Sequence, residues 1–280
     1  MPAHTGDLPS VQVSEIIAES HWTAIDFISD LHLQAENTRT VTAWQAYMES
    51  TPASALFILG DLFEVWVGDD CLQHPQQPFA AECAATIKAT ASRLPVYIMV
   101  GNRDFLMGQQ LMSACNATAI ADPCALTFGA QRWLLSHGDA LCIADLPYQQ
   151  FRAVVRSPEW QASFLARPIA ERLAIAADIR QRSESNKRST AHYIDLDPTR
   201  CLEWLASANA QQLIHGHTHQ PKQHTLGAEH TRTVLSDWDF EAQPPRADVL
   251  RLSLGDNTMQ APQLRRLAID QGFSNTFTAA

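Results

Sequence analysis

Two periods of apolar residues alternate along this chain, and each predicts a different element. Residues 24–29, 55–59, 96–100, 133–135 and 212–214 are short, nearly continuous runs rich in Ile, Leu, Val and Phe. Such runs are too short for helices and read as strands buried on both faces. Between them, residues 42–50, 79–92 and 105–115 carry helical patterning, the second rich in Ala and stopped before Pro95. Residues 126–128 and 131–135 form a close strand pair around a Gly129-Ala130 turn. Residues 197–208 predict a helix with Asp197 as N-cap and Pro198 at its first position. Late runs at 231–235, 249–254 and 263–268 read as strands of the second sheet of a β-sandwich. This strand-helix-strand order predicts an α/β layered fold, with ligands gathered at the carboxyl ends of strands.

Residues 147–190 break the rhythm. They have no strand pattern and consist of helical pieces punctuated by Pro158 and Pro168, so they are expected to form a helical cap insertion between core segments 23–146 and 191–280. Leu165, Ile169 and Leu173 recur there at four-residue spacing, near Trp160, Phe164 and Ile179. The stripe fits core packing or a lipid-facing wall. Residues 1–22 are mixed and polar, and read as a flexible leader or short surface helix.

Composition narrows the function classes. The 280 residues are 46% hydrophobic and 18% charged, ordinary for a soluble globular protein. A net charge of −10 argues against nucleic acid as a partner. Eight basic and four acidic residues between Arg152 and Arg188 make that segment locally cationic, as for meeting an anionic ligand or surface. Cys71, Cys83, Cys115, Cys124, Cys142 and Cys201 show no C-x-x-C spacing and read as buried thiols of a reducing compartment. With no secretory signal and no run near the roughly 18 apolar residues of a membrane span, the expectation is a cytoplasmic protein whose membrane contact is peripheral.

Each of the five early strand runs ends in metal-ligand residues: Asp30-Leu31-His32, Gly60-Asp61, Gly101-Asn102-Arg103-Asp104, Ser136-His137-Gly138-Asp139 and His215-Gly216-His217-Thr218-His219. Asp30 and His32, two apart, point to the same side of an extended segment. Asp61 follows a glycine and offers two oxygens that can bridge two metals; the Asn102 amide adds a neutral oxygen, and His137, His217 and His219 add imidazoles. A donor set of oxygen and imidazole without thiolate suits Mn²⁺, Mg²⁺, Fe²⁺ or Zn²⁺. Two such ions about 3.5–4 Å apart can activate a water and hold a phosphoryl group. Asp104 and Asp139 are expected to orient ligands. His215 is expected to be a hydrogen-bonded core residue despite sharing a strand face with His217 and His219, and Arg103 a phosphate clamp.

The order Asp-x-His, Gly-Asp, Gly-Asn-x-Asp, His-Gly-Asp, Gly-His-x-His resembles the calcineurin-like metallophosphoesterases from Asp30 to His219. That resemblance implies a β-sandwich flanked by helices. It also implies one metal on Asp30, His32, Asp61 and His219, and another on Asp61, Asn102, His137 and His217. After the bridging Asp61 the chain reads Leu62-Phe63-Glu64-Val65-Trp66, where protein phosphatases of the superfamily carry an Asp-Arg-Gly run, and Arg103 stands where many relatives have His. Together with Gly60-Asp61-Leu62-Phe63-Glu64, Gly101-Asn102-Arg103-Asp104-Phe105-Leu106, Leu141-Cys142, Asp145 and Tyr148-Gln149-x-Phe151-Arg152, the chain resembles the UDP-2,3-diacylglucosamine pyrophosphatases of lipid A biosynthesis. Those peripheral enzymes of the cytoplasmic face of the bacterial inner membrane use Mn²⁺. They hydrolyse UDP-2,3-diacylglucosamine to 2,3-diacylglucosamine 1-phosphate and UMP. By resemblance, catalysis falls to Asp61, Asn102, Arg103 and His137, and substrate contacts to Asn102, Arg103, Asp145, Tyr148, Ser183, Asn186, Lys187 and His217. A phosphodiesterase acting on a soluble nucleotide is the alternative function.

Overall fold

The computed structural model describes residues 11–75, 78–189, 194–255, 261–269 and 278–279, with the side chains of residues 182–189 and 278–279 outside that set. Its first half runs β1 (Ser14–Ile17), β2 (Ala24–Ile28), α1 (Thr38–Ser50), β3 (Ala55–Leu59), α2 (Phe79–Ala91), β4 (Val96–Met99), α3 (Gln109–Cys115), β5 (Thr118–Ile120), β6 (Cys124–Phe128) and β7 (Gln131–Ser136). The cap follows as α4 (Leu146–Val155), α5 (Pro158–Leu165) and α6 (Ile169–Ser189). The chain closes with α7 (Pro198–Ala208), β8 (Gln212–His215), β9 (Gln223–Leu226), β10 (His230–Val234), β11 (Asp248–Ser253), β12 (Gln263–Ala268) and β13 (Thr278–Ala279).

Alternation along the strands builds four layers. Ile25, Phe27, Phe57, Leu59 and Met99 face one way and meet Leu126, Phe128, Trp133, Leu135 and Ile214 between two sheets. The intervening Ile28, Leu56, Ile58, Val96 and Ile98 face α1, α2 and α3 through Trp44, Met48, Ile87 and Leu111. On the far side, Leu134 and Leu213 pack under Trp204 and Leu205 of α7. Central strands buried on both faces explain why they read as unbroken apolar runs.

One sheet has the order β13-β12-β11-β2-β3-β4-β5 and the other β1-β6-β7-β8-β10-β9. Strands β2 to β5 are parallel, as are β7 and β8, so the carboxyl ends of β2, β3, β4, β7 and β8 gather at one edge of the sandwich. The expectation for the late strands is corrected: β10 joins β8, but β11 pairs antiparallel with β2 and β12 antiparallel with β11, extending the first sheet. The expected leader is corrected too, because Ser14–Ile17 pairs in parallel with β6. An exposed edge strand has no buried face to impose a strong pattern, and only residues 1–10 of that leader lie outside the described set.

Two polar devices set element limits. Asp69 accepts from the backbone N–H of Gly108, Gln110 and Leu111, so α3 starts at Gln109 and not at Phe105. Asp197 caps α7 through the Arg200 N–H at 2.9 Å, as its sequence predicts. In the cap, Ser157 accepts from the Trp160 N–H, and Phe164, Trp160, Ile169 and Leu173 pack on the helix-side core. Ile169 and Leu173 are therefore packing residues, whereas Leu165 is 42% exposed. The buried Arg172 fastens α6 through a bidentate pair with Asp70 and a bond to the Val67 carbonyl.

Candidate metal centre

All seven expected ligands converge at the gathered strand ends. Asp30 and His32 follow β2, Asp61 follows β3, Asn102 follows β4, His137 follows β7, and His217 with His219 follows β8. Five of them, Asp30, His32, Asp61, His217 and His219, adopt positive φ between 47° and 68°. Non-glycine residues avoid this region, and such strain persists only where surrounding contacts impose it. Asn116 and Asn209, the other described non-glycine residues in that region, end helices. Glycine is required beside the ligands: a Cβ on Gly101 would strike the Asp61 carboxylate, and one on Gly216 would strike Asp30 and Ser29.

The donor atoms fall into two groups. Asn102 Oδ1 lies 3.0 Å from His137 Nε2 and 2.8 Å from His217 Nδ1. His219 Nε2 lies 3.1 Å from Asp30 Oδ1 and 3.2 Å from His32 Nε2. Separations near 3 Å are those of neighbouring atoms around one ion held at about 2.1 Å. Asp61 stands between the groups, Oδ1 being 3.6 Å from His137 Nε2 and Oδ2 3.8 Å from His32 Nε2. The residues present fit a pair of divalent ions, with Asp61 able to serve both.

Electrostatics agrees with a site built for cations. Despite burial, His219, His137 and His32 hold the Asp30 carboxyl below its usual range. Burial works against charge on His137, yet Asp61, Asp30 and Asp139 push it up to about 9. Burial and the neighbouring His137 pull His217 down to about 4, so its imidazole is neutral at pH 7.

Supporting contacts hold the ligand loops in register. Asp104 accepts from the Gly101 N–H at 2.7 Å and from the Leu62 N–H at 2.7 Å, clamping the Asn102 loop to the Asp61 loop. Burial and the nearby Asp61 raise its carboxyl to about 6. The Arg103 backbone N–H donates to Asp61 Oδ1 at 2.8 Å, while its guanidinium meets Glu64 at 3.2 Å. Asp139, buried, accepts from the Tyr148 hydroxyl at 2.5 Å and from Arg152 at 2.8 Å. Burial opposes its charge, but Arg152, His137 and Arg156 hold the carboxyl below the normal range. Tyr148 also stacks on His217, 6.1 Å between ring centroids. Asp145 caps α4 through the Tyr148 N–H.

His215 stays outside the donor groups. It is buried, with Nδ1 2.9 Å from the Gly216 carbonyl and Nε2 3.2 Å from Arg232, which fixes a neutral Nδ1–H tautomer. Ser183, Asn186 and Lys187 belong to the far end of α6, whose side chains lie outside the described residues. Sequence reasoning missed Glu64, Arg156 and Arg180. Glu64 stands three residues after Asp61 in the quoted Gly60–Glu64 block, and both arginines belong to the cationic segment. Those were the available signals.

The family model described as calcineurin-like phosphoesterase matches residues 23–221. The chain belongs to the calcineurin-like phosphoesterase family. The family resemblance read from the five motif blocks is thereby met, as is the layered α/β fold. Among calcineurin-like relatives, a UDP-2,3-diacylglucosamine hydrolase of Bordetella pertussis is 43% identical over 225 residues, covering 78% of this chain and 87% of that protein. Its counterpart in Chromobacterium violaceum is 44% identical over 224 residues, covering 77% and 90%. The Stenotrophomonas maltophilia protein of the same name is 39% identical over 236 residues, covering 79% and 94%.

Proposed function

We propose that this chain hydrolyses the diphosphate of UDP-2,3-diacylglucosamine to 2,3-diacylglucosamine 1-phosphate and UMP, in lipid A biosynthesis. One observation carries the reading: the two groups of donor atoms meet at Asp61 beneath a cationic helical cap. The names of relatives aligned over more than three quarters of the chain support the substrate. Two divalent ions, Mn²⁺ in this reading, supply Lewis-acid polarisation and a water of lowered pKa when bound.

The chain's own residues position and neutralise. Asp30, His32, Asp61 and His219 hold one ion; Asp61, Asn102, His137 and His217 hold the other. Arg103 stabilises charge building on the phosphoryl oxygens by forked hydrogen bonds. Arg156, which donates to the Gly101 carbonyl at 2.8 Å, adds a fixed cation beside the Asn102 loop. Asp145 and Tyr148 at the start of α4 flank the substrate, with Ser183, Asn186 and Lys187 on α6 completing the contacts.

The acyl chains reach the cap. Leu146, Val154 and Leu165 are 65%, 56% and 42% exposed there, which supports peripheral contact with the cytoplasmic side of the inner membrane. No helix among the described residues is long and apolar enough to cross a membrane. A substrate panel with Mn²⁺ tests the proposal: UMP release from UDP-2,3-diacylglucosamine should far exceed hydrolysis of cyclic nucleotides or dinucleotides. Preference for a soluble nucleotide would reassign the substrate.

A further inference from the structure

Outside the ligand set, the buried Glu64 carboxylate divides its two oxygens between the metal centre and the cap. Oε2 lies 2.8 Å from Nδ1 of His32, whose Nε2 faces Asp30 and Asp61. Oε1 meets Arg103 at 3.2 Å and, from α6, Arg180 at 3.0 Å. The side chain of Glu64 is 8% exposed and that of His32 16%, so solvent does little to screen this pair, whereas Arg180 at 41% reaches Glu64 from the solvent side. Its backbone is held as well, by a bond from the Glu64 N–H to the Leu33 carbonyl.

From this geometry we infer that Glu64 is a positioning residue that couples the docking of the cap to the metal centre. A carboxylate 2.8 Å from Nδ1 favours the proton on that nitrogen and leaves Nε2 of His32 free to face its ion, the arrangement by which carboxylates tune metal-bound histidines. A carboxylate fixed at one oxygen presents the other at a fixed place. Ordering His32 therefore lowers the entropic cost of seating Arg180, and seating α6 steadies His32 in return. Arg103 shares the same oxygen, which places the phosphate clamp on the same linkage.

This inference rests on the two-ion reading, and the experiment separates the two. Mn²⁺ is titrated into metal-free wild-type, Glu64→Gln and Arg180→Ala proteins, with bound ions counted by equilibrium dialysis. Backbone amide exchange of residues 169–180 is followed with and without Mn²⁺, and circular dichroism checks each fold. Wild type should take two ions, and Mn²⁺ should slow exchange in α6. Glu64→Gln should hold one ion with wild-type affinity and bind the other 10- to 100-fold more weakly. In both variants Mn²⁺ should no longer slow α6. Two ions at wild-type affinity in Glu64→Gln, or equal protection of α6 in folded Arg180→Ala, overturns the coupling while the two-ion reading stands. A wild-type protein taking fewer than two ions removes the reading itself.

Discussion

Asp61 lies between the imidazoles of His32 and His137, one carboxylate oxygen toward each, 3.8 Å from the first and 3.6 Å from the second. A single side chain so placed can serve two ions, and its position is fixed from behind by the Arg103 N–H and by a glycine at 101. Asp61→Ala should remove turnover by more than the roughly 10²–10³ typical of one electrostatic contact. Steady-state kinetics at saturating Mn²⁺ decides it. A folded variant keeping a tenth of normal activity would rule out the shared role.

Arg103 has two jobs that one substitution separates. Its backbone N–H holds Asp61 and survives any side-chain change, whereas its guanidinium, which meets Glu64 at 3.2 Å, is the forked donor of the proposed mechanism. Arg103→Lys should therefore lower kcat at least tenfold with Mn²⁺ content unchanged. Loss of metal along with activity would make the side chain structural.

The strand-end ligands were legible because parallel central strands must be apolar throughout, so each polar ending stands out. The run 55–59 is buried at every position and stops at Gly60-Asp61. The edge strand Ser14–Ile17 had no such contrast, since three of its four residues are exposed. Contacts between polar groups far apart in sequence were equally hidden. Arg172 meets Asp70 across 102 positions, and Glu64 meets Arg180 across the whole cap. No local period encodes such pairs. The stripe Leu165, Ile169, Leu173 had the right spacing but a divided fate, because α5 ends at Leu165 and α6 begins anew at Ile169.

That division changes where lipid selectivity should be tested. Ile169 and Leu173 pack on the core, but Val154 and Leu165 present apolar surface to solvent. Each buried methylene is worth about 0.8 kcal/mol. Val154→Glu with Leu165→Glu should cut hydrolysis of UDP-2,3-diacylglucosamine at least tenfold while sparing bis-p-nitrophenyl phosphate. Equal loss of both activities, or unchanged lipid turnover, would move the acyl chains elsewhere.

His215 makes a pH prediction. Burial and the Arg232 guanidinium push it down to about 3, below the usual value near 6.5. Between those values the unfolded chain binds a proton that the folded chain does not, so stability falls as pH falls through this window. The slope approaches about 1.4 kcal/mol per pH unit for one such proton. Urea midpoints between pH 6.5 and 4.5 should drop in the wild type and drop less in His215→Gln. Parallel slopes would contradict a neutral buried His215.

The central claim is hydrolysis of the substrate diphosphate by attack of water on the α-phosphorus, and isotope placement tests it most directly. UDP-2,3-diacylglucosamine is incubated with the Mn²⁺-loaded protein in ¹⁸O-labelled water, and both products are weighed by mass spectrometry. The account predicts one ¹⁸O in UMP and none in 2,3-diacylglucosamine 1-phosphate. Label in the sugar phosphate, or no UMP at all, would contradict it.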